Sequence, residues 1–230
     1  AESHVFIYEA AGSAVFSGVQ LRPIQGVRGL ITSRQIEAAI RPPDVHQPQT
    51  SVVVIENTHN RAGGSIIPIG EIERIRGLCA ERGIAMHMDG ARLLNAAIAS
   101  GIAASDYAKH FDTVTICFSK GLGAPVGSVL VSSAERIAAA RVWRKRYGAG
   151  MRQVGILAEA GMYALDHHID RLAEDHARAR RLAGALAEVR PDLVDPGDVD
   201  TNIVVLDLRG GPTAPGLAGA ARERGVAGSV

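Results

Sequence analysis

The sequence predicts an α/β fold: a mostly parallel sheet flanked by helices. Three observations carry this. Short apolar runs of strand length (residues 51–56, 84–88 and 113–118) alternate with segments of helical spacing. The first run, SVVVIE, is continuously apolar, which is typical of a strand covered on both faces. Polar residues gather just past the carboxyl ends of the runs, namely Glu56-Asn57-Thr58-His59, Asp89 and Lys120. Open α/β sheets hold their functional groups at that edge. Repeated strand–helix–strand units further imply right-handed crossovers.

The elements follow in order. Residues 13–21 (SAVFSGVQL) read as a strand or loop-strand. Residues 32–40 read as a short helix, with Thr32 or Ser33 as N-cap and Pro42-Pro43 as its stop. After the strand at 51–56, residues 71–82 read as a helix capped by Gly83, and 84–88 as the next strand. Residues 91–100 read as a helix that again ends at a glycine, and 113–118 and 127–132 as strands. Residues 133–147 read as a helix with Ser133 as cap, and 153–189 as one long helical stretch. The segment PDLVDPG (191–197) breaks the chain, and TNIVVLDL (201–208) reads as a late strand. A large domain is therefore expected over 1–190, with the start of a small α/β domain over 191–230.

The bulk properties exclude several classes. A chain of 230 residues with 47% hydrophobic residues can bury one sizeable core. A net charge of +1 makes no electrostatic case for nucleic acid or a membrane surface. No apolar run reaches the roughly 18 residues that span a bilayer, and no secretory leader is visible. Cys79 and Cys117 are isolated, so neither a disulfide framework nor zinc-ligand spacing is present, and a reducing, cytoplasmic setting follows. The opening AESHVFIYE lacks Met and reads like the middle of a domain, so both ends are expected to be missing.

The chemistry concentrates in two segments, HMDGAR (87–92) and FSKGLGAPVGS (118–128). Each sets one reactive group at the end of an apolar run. Lys120 lies between Ser119 and Gly121, small neighbours that let a bulky cofactor approach the backbone. An amine that attacks a carbonyl must be neutral part of the time, so its site must lower its pKa by burial or nearby positive charge. Asp89 is followed by Arg92, which at that spacing shares a face on a first helical turn. An amine that forms a Schiff base and an acid that keeps a pyridine nitrogen protonated are what pyridoxal phosphate requires. Arg92, with its planar fork, suits a substrate carboxylate. A structural Asp89–Arg92 ion pair is the plainer alternative.

Other polar residues read more plainly. Arg136, Arg141, Arg144, Lys145, Arg146 and Arg152 form a basic run whose default is a solvated helix face. His167, His168 and His176 have no converging ligands in sequence that would hold a metal. A metal hydrolase built on His59, His87 and Asp89 is set aside on the expectation that His87 and Asp89 point to opposite strand faces.

Four blocks in order, IENTHNRAGG (55–64), HMDGAR, FSKGLGAPVGS and RKRYGAGMRQ (144–153), resemble the low-specificity L-threonine aldolases, fold-type I pyridoxal phosphate enzymes of the β-eliminating lyase group. The resemblance runs from about Ser3 past Asp175 and through Thr201-Asn202. It implies Lys120 as the Schiff-base lysine, with Ser119 beside it at the cofactor, and Asp89 at the pyridine nitrogen. Arg92 is implied at the substrate carboxylate, His4 stacked on the cofactor ring and His59 near the substrate hydroxyl. Tyr8 would line the pocket, and Arg152 and Lys145 would be basic residues near it. The phosphate-cradling turn expected upstream of SHVFIYE, an early serine, and a late arginine expected downstream of Val230 lie outside this sequence.

The implied reaction is retro-aldol cleavage of L-threonine or L-allo-threonine to glycine and acetaldehyde, with His59 or a water it positions taking the hydroxyl proton. The implied partners are a β-hydroxy-α-amino acid and further copies of the chain, as a dimer of dimers. Rivals that share the lysine and aspartate are β-elimination, racemisation and transamination. A non-catalytic truncated homologue is a rival of a different class.

Overall fold

In the computed structural model, which describes residues 1–228, four strands form one sheet in the order β1-β2-β3-β4. The chain opens with two short helices, α1 (His4–Ile7) and α2 (Gly12–Ser17), and then α3 (Ser33–Ala39). Residues 13–21, expected as a strand, are helical as far as Ser17 because their backbone bonds locally: Gly18 N–H donates to Ala14 O at 3.0 Å. A short apolar run does not by itself distinguish the two states. The start of α3 is as expected. Thr32 accepts from Gln35 N–H, and the Gln35 side chain accepts from Thr32 N–H, closing a capping box.

The central pattern follows: β1 (Val52–Glu56), α4 (Ile69–Glu81), β2 (Ala85–Asp89), α5 (Leu93–Ser100), α6 (Ala104–Ala108) and β3 (Thr113–Cys117). Strands β1, β2 and β3 are parallel, with Glu56 paired to Asp89 and Asp89 to Thr115. β4 (Ser128–Ser132) runs antiparallel to β3. The stretch between them carries no crossover helix, and without one a parallel return is not reached.

The main core packs Val53, Ile55, Met86, Met88 and Val114 of the sheet against Ile72, Ile75 and Cys79 of α4 and Tyr107 of α6. Ile72, Ile75 and Cys79 are fully buried, and each isoleucine contributes on the order of 2 kcal/mol. The opposite face, with Val52, Val54, His87 and Thr115, is exposed or half-buried. The sheet is thus covered on one face rather than both among the described residues. An apolar run alone does not reveal whether its second face finds a partner.

Beyond the sheet come α7 (Ala134–Arg146), capped by Ser133, then α8 (Gly155–His167) and α9 (Leu172–Val189). The single stretch expected over 153–189 is therefore two helices. The first begins late because Gln153 has φ +46. The break falls where the His168 ring turns to the Leu122 carbonyl, with Nδ1 and O 2.6 Å apart. After the 3₁₀ turn Pro196–Asp198, residues 201–208 find no ladder partner and form no strand. Val204 and Leu206 pack instead on Ala179 and Ala183 of α9, with Val194 and Val199. A last helix, α10 (Ala214–Glu223), begins at the Thr213 cap. None of the helices among the described residues is long and apolar enough to cross a membrane.

Candidate active site

The carboxyl ends of β1, β2 and β3 meet at one edge, and the register sets Glu56 beside Asp89 on the half-buried face. Asp89 is half-buried, and its Oδ1 accepts from Ala91 N–H at 3.1 Å. Among the described residues its second oxygen takes no donor. Arg92 is not on a helical turn, as its spacing suggested. It stands before α5 as the N-cap residue, at φ −129°, because Ala91 and Arg92 form a turn first, closed by Leu93 N–H donating to Gly90 O at 2.9 Å. Burial pushes its pKa down, against the opposing pull of Glu56, then Cys117, then Asp89. No carboxylate comes within ion-pair distance of it among the described residues, so the plain Asp89–Arg92 pair does not form.

Lys120 lies in the turn joining β3 to β4. Its carbonyl accepts from Gly123 N–H at 2.9 Å, and the turn closes with Phe118 N–H to Gly127 O at 2.9 Å. Buried Leu122 and Ala124 anchor the turn against Ala164 and Leu172. The side chains of Ser119 and Lys120 are exposed, and the amine has no ion-pair partner among the described residues.

A second cluster sits at the end of β1. The Glu56 carboxylate is almost fully buried; it accepts from His4 N–H at 2.7 Å and Asn60 N–H at 2.9 Å, and His4 Nδ1 lies 3.2 Å from it. The rings of His4 and Tyr8 are 5.1 Å apart, and Tyr8 OH accepts from Arg61 at 3.1 Å. His59 is buried at 5% exposure, and burial pushes its pKa down against the pull of Glu56, so it is neutral near pH 7. Three consecutive residues here each hold a buried polar atom without a protein partner: Asn57 Nδ2, Thr58 Oγ1 and His59 Nδ1. An apolar groove of about 400 Å³ runs along β1, reaching Glu56 and His59 at one end but neither Asp89 nor Lys120.

His87 and Asp89 share a face, contrary to the expectation from sequence. Residues two apart on a strand always do, and both are half-buried while Met88 between them is buried. The His87 ring contacts Thr113 Oγ1 at 2.7 Å. No group of three metal-ligating side chains forms among the described residues. Lys145 and Arg152 are exposed in and after α7, and their side chains make no hydrogen bond to another described residue. Sequence reasoning assigned no role to Glu56. The signal was present, since it ends its strand in register with Asp89, but its link to His4 spans 52 residues.

A family model, the Beta-eliminating lyase family, matches residues 1–209. The chain belongs to this family. Among its relatives, low-specificity L-threonine aldolase 1 of Arabidopsis thaliana is 37% identical over 97% of this chain and 64% of its own length. The low specificity L-threonine aldolase of Escherichia coli K12 is 40% identical over 88% of this chain and 59% of its own. The chain thus spans about three-fifths of these relatives. The threonine aldolase of Leishmania major shares the fold, with a TM-score of 0.71 at 23% identity over 81% of this chain and 55% of that one.

Within this family frame the donor set fits pyridoxal phosphate. An acid with one uncommitted oxygen and an unpaired amine stand at the ends of adjacent strands. The three unpartnered buried polar atoms end the strand beside them.

Proposed function

We propose that the whole protein to which this chain belongs cleaves L-threonine and related β-hydroxy-α-amino acids to glycine and an aldehyde, with pyridoxal phosphate. The observation that carries the proposal is Asp89 and Lys120 at the ends of the adjacent parallel strands β2 and β3. The likeness to L-threonine aldolases at 37% and 40% identity supports the choice of substrate.

Pyridoxal phosphate, when bound, supplies a sink for the electron pair released as the Cα–Cβ bond breaks. Lys120 would hold it through the side-chain nitrogen, with Ser119 alongside. Asp89 would keep its ring nitrogen protonated by a charge-assisted hydrogen bond, using the oxygen that takes no donor among the described residues. Arg92, with no carboxylate partner among the described residues, binds the substrate carboxylate and so fixes which bond at Cα stands ready to break. The β-hydroxyl proton is taken at the carboxyl end of β1, where His4 and His59 lie. As that O–H and the Cα–Cβ bond break, a carbonyl forms on the departing aldehyde, and Cα gains a proton to give glycine. Tyr8 lines this end, with Lys145 and Arg152 as basic residues near it.

The proposal includes a second unit beginning near Pro191, just past the end of α9 at Val189, whose first apolar residues, Val194, Val199, Val204 and Leu206, pack back on Ala179 and Ala183 of α9. It also includes assembly with further copies of the chain, supported by exposed Trp143, Tyr147 and Ile156.

The test uses the full-length protein with added pyridoxal phosphate and L-threonine. A yellow absorbance band and equal amounts of glycine and acetaldehyde are expected, and Lys120→Ala should lose both. Release of ammonia and a keto acid instead would move the reaction to β-elimination. Full turnover in Lys120→Ala would end the proposal.

A further inference from the structure

Glu56 has no assigned role, yet it is the most committed acid at the site edge. Its side chain is 4% exposed, while that of its partner His4 is 26% exposed. Its oxygens face two backbone N–H groups, of His4 and Asn60, and the ring atom His4 Nδ1. An ionised carboxylate only accepts. With backbone donors on both oxygens, the form without a proton of its own is the one that satisfies every contact. The His4 ring must therefore donate through Nδ1. In the neutral ring Nε2 then carries the lone pair, and no described residue occupies it.

The contrast with His59 is instructive. That ring is buried at 5%, and Gly29 lies against it. His4 is the more open of the two imidazoles, and the only one backed by a carboxylate within hydrogen-bond distance.

We propose that Glu56 is a positioning residue: it locks His4 as the Nδ1–H tautomer and leaves His4 Nε2 as the atom that receives the substrate's hydroxyl proton. The tautomer stands on this geometry alone, and the proton transfer rests on the aldolase reading above. The O–H bond of the substrate breaks, its electron pair becomes the second bond of the aldehyde carbonyl, and the proton ends on Nε2. The same nitrogen can return it to Cα, so no other reactant is needed. This is the logic by which an acid behind an imidazole serves general base chemistry, by orienting the ring rather than by taking the proton itself.

Glu56→Gln tests this sharply. One Glu56 oxygen takes His4 N–H and the other takes Asn60 N–H and His4 Nδ1, so in either orientation a glutamine NH₂ meets a backbone N–H and is driven off these donors. The ring then loses its acceptor at Nδ1, and a neutral imidazole without one reverts to its intrinsically favoured Nε2–H tautomer. The readout is the ¹⁵N NMR signature of the His4 ring in the full-length protein, recorded where the ring is neutral. Wild type is expected to be Nδ1–H and Glu56→Gln to be Nε2–H. In the variant kcat for threonine should fall by about 10²-fold or more, with KM changed by less than about threefold. A wild-type ring found as Nε2–H overturns the inference, even if the variant does not fold. So does a Glu56→Gln protein with unchanged tautomer and kcat. A protein that binds pyridoxal phosphate, shows Nδ1–H and makes no acetaldehyde overturns the aldolase reading and the proton transfer, but leaves the Glu56–His4 lock standing.

Discussion

Gly29 rests on the imidazole of His59. A Cβ built on Gly29 would lie 2.7 Å from His59 Cδ2 and 2.9 Å from Nδ1, and the residue sits at φ +71°. Gly29→Ala must therefore push the ring aside and adopt a left-handed backbone. The expected cost is about 1–3 kcal/mol in chemical denaturation, with a shift of the His59 ring resonances. Gly77, inside α4 with nothing near its missing Cβ, is the control. Gly77→Ala should instead stabilise by about 0.5–1 kcal/mol. Equal effects at the two sites would contradict the packing described for His59.

Asp89→Asn keeps the shape of the side chain but removes the charge that holds a proton on a pyridine nitrogen. The full-length variant should still bind pyridoxal phosphate. Its glycine production should fall on the order of 10²-fold or more, read as kcat. A variant with wild-type kcat would show that this acid does not serve the ring.

Asp112 ties three elements together. It accepts from Met86 N–H at 2.9 Å, from Arg76 at 3.0 Å and from Arg136 of α7 at 3.0 Å. Burial alone would raise its pKa, but the Met86 amide and then Arg76 and Arg136 hold it below the ordinary carboxylate value. A lowered folded pKa stabilises above the unfolded pKa of about 3.9, and that contribution disappears as pH falls through the folded value. Asp112→Asn should cost about 2 kcal/mol at pH 7. In urea titrations the gap from wild type should close below about pH 4. A gap that stayed constant down to pH 2 would be inconsistent with this linkage.

His176 is buried in α9 and faces Asn95 of α5, with ring Nε2 and the amide nitrogen 3.1 Å apart. The same amide donates to Asn202 at 3.3 Å, so Nε2 must accept and the ring must be neutral. Burial, reinforced by Arg180 and opposed by Asp175, pushes its pKa down. Below the unfolded pKa of about 6.5 the unfolded chain takes a proton that the folded ring refuses, so stability should fall with pH from there until the folded value is passed. His176→Gln, which can offer Asn95 a carbonyl, should flatten that slope between about pH 6.5 and 5 in thermal unfolding. An unchanged slope would remove His176 from the account.

Much of the sheet was legible because β1, β2 and β3 are short apolar runs between turn residues, and the Thr32 and Ser133 caps act within four residues of themselves. Long-range features were not legible. Residues 201–208 have strand composition, but a strand exists only where a neighbour offers its edge, and these side chains settle on α9 instead. The single stretch read over 153–189 breaks at His168, whose ring contacts the Leu122 carbonyl, 46 residues away. At the candidate site, the places of Asp89 and Lys120 were legible because Asp89 ends β2 and Lys120 lies three residues past the end of β3. Glu56 likewise ends β1, but its acid gains meaning only once His4 folds onto it. The Asp89–Arg92 spacing misled because the turn at Ala91-Arg92 delays the helix past Arg92.

Thr201 donates its hydroxyl to the carbonyl of Gly64 at 2.8 Å, across 137 residues of chain. Gly64, at φ +73°, leaves room for that hydroxyl where any Cβ would collide with it. The loop that carries His59 is thus latched by a segment synthesised far later. On the ribosome, a nascent polypeptide that has already laid down β1, β2 and β3 still lacks this latch. Its maturation is a post-sheet event, and a pause in translation before residue 201 is added leaves that latch unmade.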